Sequence, residues 1–203
     1  PWSAIVLGLE CGGSDALSGI TANPALGVAS DRLVELGASS VLGETTEILG
    51  AEHLLAARAI DPAVGKKIVE MVARYEDSIN YEGIDIRGAQ PSRGNIEGGL
   101  STLEEKSLGA AKKAGNAPFT GTLEFGEIPK VAGLYFMDTP GHDIEQLAGF
   151  GAGHINVVVF TSGRGTPTGS AIMPTIKVST NTPMYESIPD LIDLDAGTIA
   201  DGI

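Results

Sequence analysis

Short apolar runs alternate with helix-like segments in the first part of the chain. Residues 3–9 (SAIVLGL) form an apolar run with β-branched residues, which predicts a buried strand. A helix is predicted from Asn23-Pro24 to residue 36, because Asn suits an N-cap and Pro suits the first helical turn. Residues 39–42 predict a second strand. Strand, helix and strand in this order form a βαβ unit, so the two strands should be parallel.

The same alternation continues to the end of the chain. Helices are predicted over residues 61–81 and 101–115, separated by an irregular, glycine-bearing loop at 83–99. Further strands are predicted at 131–137, 155–160 and 175–179, with a short helix at 143–149 and a partly helical acidic tail. We therefore expect an α/β fold over residues 1–203. Its mostly parallel, Rossmann-like sheet should carry helices on both faces and Gly-rich loops at the strand C-terminal ends.

Polar, glycine-rich segments come after four of the predicted strands. They are ECGGSD at 10–15, ETTE at 44–47, MDTPGHD at 137–143 and TSGRG at 161–165. In an open parallel sheet, ligands bind outside the carboxyl ends of the strands. The pattern therefore predicts that these four loops meet at one binding site.

Each of these segments offers a group with possible chemistry and also a plain structural interpretation. Cys11 could bind iron or act as an acid or base, but a free cysteine is also a common small core residue. Glu44 and Glu47 could bind a metal, act as acid and base, or only favour a helix N-terminus. His142 is a plausible ligand in its loop. Arg164, between two glycines, could grip a carboxylate or simply lie in a surface turn.

Composition narrows the classes of partner. The 203 residues carry a formal net charge of -13, which repels nucleic acid and anionic membranes. No apolar run approaches the ~18 residues that span a bilayer, and no signal peptide is visible. The lone Cys11 fits a reducing compartment, so we expect a cytoplasmic protein. Because the chain begins with Pro rather than Met, we expect a domain of a longer protein.

Taken in order, the motifs resemble the altronate/galactarate dehydratase family in its C-terminal domain. The resemblance covers nearly the whole chain, and the combination of motifs is specific although no single one is. The motifs are GLECGGSD at 8–15, ANPALG at 22–27, ETTEILGAE at 44–52, GN at 94–95, GGLSTLEEKSLG at 98–109, FMDTPG at 136–141, TSGRG at 161–165, and Lys177 with TNTP at 180–183.

The resemblance implies a metal-dependent lyase that removes water from a sugar acid such as altronate or galactarate, giving a 2-keto-3-deoxy acid. It implies a divalent metal, iron by expectation, near Cys11, Glu44, Asp138 and His142. For catalysis it suggests Lys106 as a base, with Glu44 and Cys11. For substrate binding it suggests Asn95, Arg164, Asn181 and Ser14.

The resemblance also bears on partners and alternatives. Family members carry a further N-terminal half, so we expect this half or a separate small subunit as partner, a small hydroxy acid as substrate, and a possible homo-oligomer. The large subunit of sulfolactate sulfo-lyase is a close relative. The chain has Ile96-Glu97 where altronate dehydratases carry Lys after Gly-Asn, which leaves sulfolactate-type elimination open. A non-catalytic module that binds a sugar acid or assists assembly also stays open. A nucleotide-binding Rossmann domain is weaker, since ECGGSD is not G-x-G-x-x-G.

Overall fold

Seven parallel strands form one sheet in the computed structural model, which describes residues 1–81 and 83–202. The order across the sheet is β3-β4-β2-β1-β5-β6-β7. The parallel arrangement and the α/β class expected from the sequence are confirmed. The strands are β1 Val6–Gly12, β2 Ser39–Leu42, β3 Phe119–Leu123, β4 Gly133–Met137, β5 Val157–Ser162, β6 Thr175–Ser179 and β7 Leu194–Asp195.

Helices cover both faces of this sheet. Because side chains alternate across a strand, Leu134 and Phe136 of β4 enter one apolar cluster, whereas Tyr135 and Met137 enter the other. The first cluster includes residues of α1, α3 and α5, and the second includes residues of α6. The helices are α1 Ala22–Glu35, α2 Glu52–Ala57, α3 Pro62–Tyr81, α4 Arg93–Glu97, α5 Leu103–Ala111, α6 Asp143–Ala152 and α7 Thr182–Ser187; 3-10 turns lie at Trp2–Ala4, Thr45–Ile48, Lys112–Ala114 and Gly197–Asp201.

The order of the strands places a crevice at the centre of the sheet. From β1 the chain moves to β2 on one side, and after β4 it returns to β5 on the other side of β1. Connections that leave two neighbouring strands in opposite directions open a gap at their carboxyl ends. The fold therefore predicts a ligand site above the ends of β1 and β5.

Several boundaries differ from the sequence-based expectation. The first strand begins at Val6 and reaches Gly12, because its pairing with β5 continues to Gly12 opposite Ser162; Cys11 thus lies in a strand and not in a loop. The expected loop at 83–99 contains α4, whose N-terminus is held by a capping box at Ser92. The edge strand β3 was not predicted.

Two helix starts also differ. The first helix begins at Ala22, so Asn23 lies inside it, buried, and is not its N-cap. The fifth helix is capped by Thr102, whose side chain accepts a hydrogen bond from the backbone N–H of Glu105. In the two described ranges, no helix is both long enough and apolar enough to cross a membrane.

Candidate active site

A cleft of about 630 Å³ lies at the carboxyl ends of the central strands, where the strand order places it. Its walls come from the ends of β1 and β5, from the turns after β2 and β4, from the segment that contains α4, and from α5. The family resemblance suggested roles for nine residues, and six of them line this cleft: Cys11, Ser14, Asn95, Lys106, His142 and Arg164. Glu47, noted from the sequence beside Glu44, lines it as well.

A buried ammonium group lies under the floor of the cleft. Lys113 Nζ donates to Cys11 Sγ at 2.8 Å and to a carboxylate oxygen of Glu44, and its side chain is fully buried. The same Glu44 oxygen accepts the backbone N–H of Cys11 at 3.1 Å. Lys113 reaches this position because the 3-10 turn Lys112–Ala114 packs under the sheet at the end of α5. Of these three residues, Cys11 alone also lines the cleft.

Burial is the largest influence on the pKa values of the ionisable residues under the cleft. It raises the pKa of Glu10 well above its usual range, and the neighbouring Glu44 raises it further. It raises the pKa of Glu44 to about 7 despite the opposing pull of Lys113, and it raises the pKa of the Cys11 thiol. Burial alone would lower the pKa of Lys113, but Cys11, Glu44 and Glu10 outweigh it and the net shift is upward. The upward shift of the Lys113 pKa is the direction expected for a charged lysine that is paired with the Glu44 carboxylate.

An ion pair forms one wall of the cleft. Lys106 Nζ lies 2.9 Å from Glu47 Oε1 and donates to Gln90 Oε1 at 2.6 Å. Lys106 and Glu47 are both nearly inaccessible to solvent. The ion-pair partner of Lys106 is thus Glu47 and not its helix neighbours Glu104 and Glu105. In the described part of the chain, Glu47 Oε2 has no hydrogen-bond partner.

Asp143 lies at the first turn of α6 and also lines the cleft. Burial raises the pKa of Asp143; hydrogen bonds from its backbone and from Thr168 and Thr166 oppose this shift, and the negative charge of Glu47 adds a smaller upward contribution. The cleft thus contains two carboxyl groups, Glu47 and Asp143.

At the rim, Arg164 follows β5 and remains partly exposed. Its Nη1 donates to the carbonyl oxygen of Gly94 at 2.5 Å and lies 3.1 Å from Glu97 Oε2. The side chain of Asn95 makes hydrogen bonds within the protein: its oxygen accepts a hydrogen bond from the Ser92 hydroxyl, and its amide donates one to the carbonyl oxygen of Ser14 at 3.0 Å. These bonds tie α4 to the end of β1, so Arg164, Asn95 and Ser14 share one corner of the cleft.

Three predicted residues do not line the cleft. Glu44 lies beneath it, as described. Asp138 pairs with Arg74 at 2.5 Å and accepts from Thr45 at 2.7 Å. Asn181 caps α7, and its amide donates to Asp15 at 3.0 Å and to the carbonyl oxygen of Gly163 at 2.8 Å.

The donor groups present do not assemble into a metal site. Cys11 and Glu44 face the Lys113 ammonium, Asp138 is held by Arg74, and the exposed His142 pairs with Glu145 at 3.1 Å. Over residues 1–81 and 83–202, no group of three or more His, Cys, Asp or Glu side chains is placed to hold a metal ion. Bound iron therefore stays a prediction for this chain.

Sequence reasoning missed three contributors to the site. Lys113 lies in the stretch AAKKAG, which looks like an ordinary solvated helix end and carries no signal of burial. Glu10 and Asp143 fall within two of the polar segments noted after strands, ECGGSD and MDTPGHD, so position at a strand end was a usable signal for both.

Comparison with known proteins gives a consistent result. A family model described as D-galactarate/Altronate dehydratase, C-terminal, matches residues 2–203. The chain is 45% identical to an altronate dehydratase of Bacillus subtilis over 99% of its length, and 45% identical to a galactarate dehydratase (L-threo-forming) of Escherichia coli over 100%. It is 37% identical over 97% of its length to the (2R)-sulfolactate sulfo-lyase subunit beta of Chromohalobacter salexigens. The chain spans 40%, 38% and 51% of these three relatives.

Proposed function

Since the chain belongs to the D-galactarate/altronate dehydratase family, matching its C-terminal domain, we propose that it supplies the substrate cleft of a hydro-lyase. The substrate would be a sugar acid such as altronate or galactarate, and the product a 2-keto-3-deoxy acid. The observation that carries this proposal is the cleft, which combines two cations, Lys106 and Arg164, with two carboxyl groups, Glu47 and Asp143.

This combination suits elimination next to a carboxylate. Removing the proton on the carbon beside the carboxylate builds negative charge on the carboxylate oxygens, and nearby cations stabilise that charge. One carboxyl group must accept that proton and another acid must protonate the departing hydroxyl. Arg164 lies at the open rim and can bind the substrate carboxylate with its planar guanidinium.

We further propose that the cleft is completed by another part of the protein. The chain spans about 40% of the altronate and galactarate dehydratases that it matches, so the complete enzyme would include an N-terminal half or a separate small subunit. The reducing compartment suggested by the single Cys11 supports a cytoplasmic location.

Elimination from sulfolactate is the second candidate. It is favoured by one observation: the chain is 37% identical over 97% of its length to a (2R)-sulfolactate sulfo-lyase subunit beta.

The experiment assays the complete polypeptide, supplied with ferrous iron under anaerobic conditions, on altronate, galactarate and sulfolactate. Keto acid formed from a sugar acid supports the dehydratase, and sulfite released from sulfolactate supports the second candidate. Arg164→Lys should raise KM about tenfold or more, because the bidentate geometry is lost. The matched control Arg93→Lys changes an exposed arginine that also pairs with Glu97 and should leave KM unchanged. Tight binding of a sugar acid without turnover would instead indicate a non-catalytic module.

A further inference from the structure

Glu47 differs from the other acidic residues around the cleft in how its two oxygens are used. Oε1 is held by Lys106 at 2.9 Å, and Oε2 is buried without a hydrogen-bond partner in the described part of the chain. Its backbone is fixed as well, because it lies in the 3-10 turn Thr45–Ile48 and its N–H donates to the carbonyl oxygen of Glu44 at 2.8 Å. Burying a carboxylate oxygen without a hydrogen-bond partner costs free energy, so its presence in a native structure calls for an explanation, such as a role in catalysis.

The bases suggested from the sequence, Glu44 and Lys106, are already engaged. Glu44 accepts from both Lys113 and the Cys11 N–H and does not line the cleft. Lys106, the base suggested by the family resemblance, points its ammonium at both Glu47 and Gln90, so it has no free lone pair in this arrangement. It is better placed as a cation beside the reacting carbon than as the base.

From this geometry we propose that Glu47 is the catalytic base that removes the proton beside the substrate carboxylate. The assignment rests on the proposed dehydratase function and deepens it. Lys106 would be the cation that stabilises the resulting enediolate, and Gln90 a positioning residue that fixes Lys106. Asp143, which also lines the cleft, would be the acid for the departing hydroxyl.

The step balances without an oxidant or reductant. The C2–H bond breaks, its proton goes to Glu47, and its electron pair forms the C1–C2 double bond of an enediolate. The enediolate then re-forms the carboxylate, the electron pair moves to a C2–C3 double bond, and the C3–O bond breaks. The hydroxyl leaves as water with a proton from Asp143. The enol product takes up a proton at C3 and releases one from its C2 hydroxyl to become the 2-keto acid, and Glu47 and Asp143 regain their starting states through solvent.

The test uses the complete polypeptide with Glu47→Gln, Glu47→Asp and the matched control Glu70→Gln. Glu70 lies on α3, is half-exposed and pairs with Lys66, so the control changes charge away from the cleft. Two quantities are measured on the sugar acid that the wild type turns over: kcat with KM, and exchange of the C2 proton of unreacted substrate in deuterated water. Circular dichroism and the thermal midpoint check that each variant is folded.

We expect Glu47→Gln to lower kcat by about 10²–10⁴-fold with KM changed little, and to abolish C2 exchange. Glu47→Asp keeps the negative charge on a side chain that is one methylene shorter, so its kcat and its C2 exchange should lie between those of Glu47→Gln and the wild type. Glu70→Gln should match the wild type in both. A folded Glu47→Gln variant with kcat within fivefold of wild type would overturn the assignment while leaving the dehydratase intact. If Glu47→Gln does not fold, the assignment is tested on Glu47→Asp instead. A Glu47→Asp variant whose kcat and C2 exchange equal those of the wild type would overturn the assignment. A wild type that forms no keto acid from any sugar acid overturns the proposed function and the base together.

Discussion

Replacing the buried Lys113 by Met tests whether its ammonium holds the floor of the cleft together. Lys113 is fully buried and donates to Cys11 and Glu44, and Met has similar length without the charge. Without the ammonium, Glu44 keeps the Cys11 N–H as its neighbouring donor. Breaking a buried ion pair by removing one partner costs about 3–5 kcal/mol, because Glu44 must then carry its charge without the ammonium or take up a proton.

That loss is large against a folding free energy of about 5–15 kcal/mol for a domain. With a urea slope of roughly 2–3 kcal/mol per molar, the unfolding midpoint of Lys113→Met should fall by about 1.5 M. Urea denaturation followed by circular dichroism at pH 8, where a carboxyl group with a pKa of about 7 is mostly ionised, measures this shift.

Two further variants separate the ion pair from simple repacking. Lys112→Met removes the adjacent, exposed lysine and should leave the midpoint nearly unchanged. Lys113→Met combined with Glu44→Gln leaves no uncompensated carboxylate, so it should regain about 1–3 kcal/mol relative to the sum of the single changes. A Lys113→Met variant that loses less than about 1 kcal/mol, or a double variant that is strictly additive, would refute the reasoning.

Two other predictions concern stability. The folded-state pKa of Glu10 is raised, so the unfolded chain releases this proton from about pH 4.5 upward while the folded chain keeps it. The contribution of Glu10 to wild-type stability therefore falls as pH rises through that window. Relative to the wild type, Glu10→Gln should gain stability by on the order of 1 kcal/mol per pH unit between urea titrations at pH 5 and pH 7; an equal difference at both pH values would contradict the raised pKa. Gly27→Ala would place a Cβ in collision with the backbone carbonyl oxygen of Lys112, so it should destabilise the fold by about 1–3 kcal/mol, whereas Gly169→Ala, in open space, should be neutral in thermal unfolding.

The sheet could be predicted from the sequence because its strands are short apolar runs with a fixed period. Central strands buried on both faces leave a continuous apolar signature, as in residues 157–160, and a helix such as α3 leaves a clear 3.6-residue pattern. The edge strand β3 was missed because Phe119–Leu123 (FTGTL) is only partly buried and contains a glycine. Its strand conformation is imposed by β4 and the tertiary structure rather than by local propensity.

The position of the cleft could be predicted from the sequence, but the pairing of its charged groups could not. Strand ends are readable from sequence, so the convergence of Cys11, Ser14 and Arg164 on one cleft followed from topology alone. Which carboxylate meets which cation depends on packing between distant segments. Lys113 contacts Glu44, which is 69 positions away in the sequence. Arg74 pairs with Asp138, 64 positions away, and so holds that carboxylate outside the cleft. Periodicity and spacing carry no record of such pairings.

The ion pairs of the cleft also suggest how a carboxylate can bind to a chain with a net charge of -13. Both cations that face the cleft already have protein carboxylates as partners, Glu47 for Lys106 and Glu97 for Arg164. Under the proposed function, a substrate carboxylate would compete with one of these partners. Exposed ion pairs are worth roughly 0–1 kcal/mol, so the partly exposed Glu97 is the one that yields at little cost, while the buried Lys106–Glu47 pair stays. Substrate would then enter at Arg164 and present its C2–H to a base that the protein has kept in place.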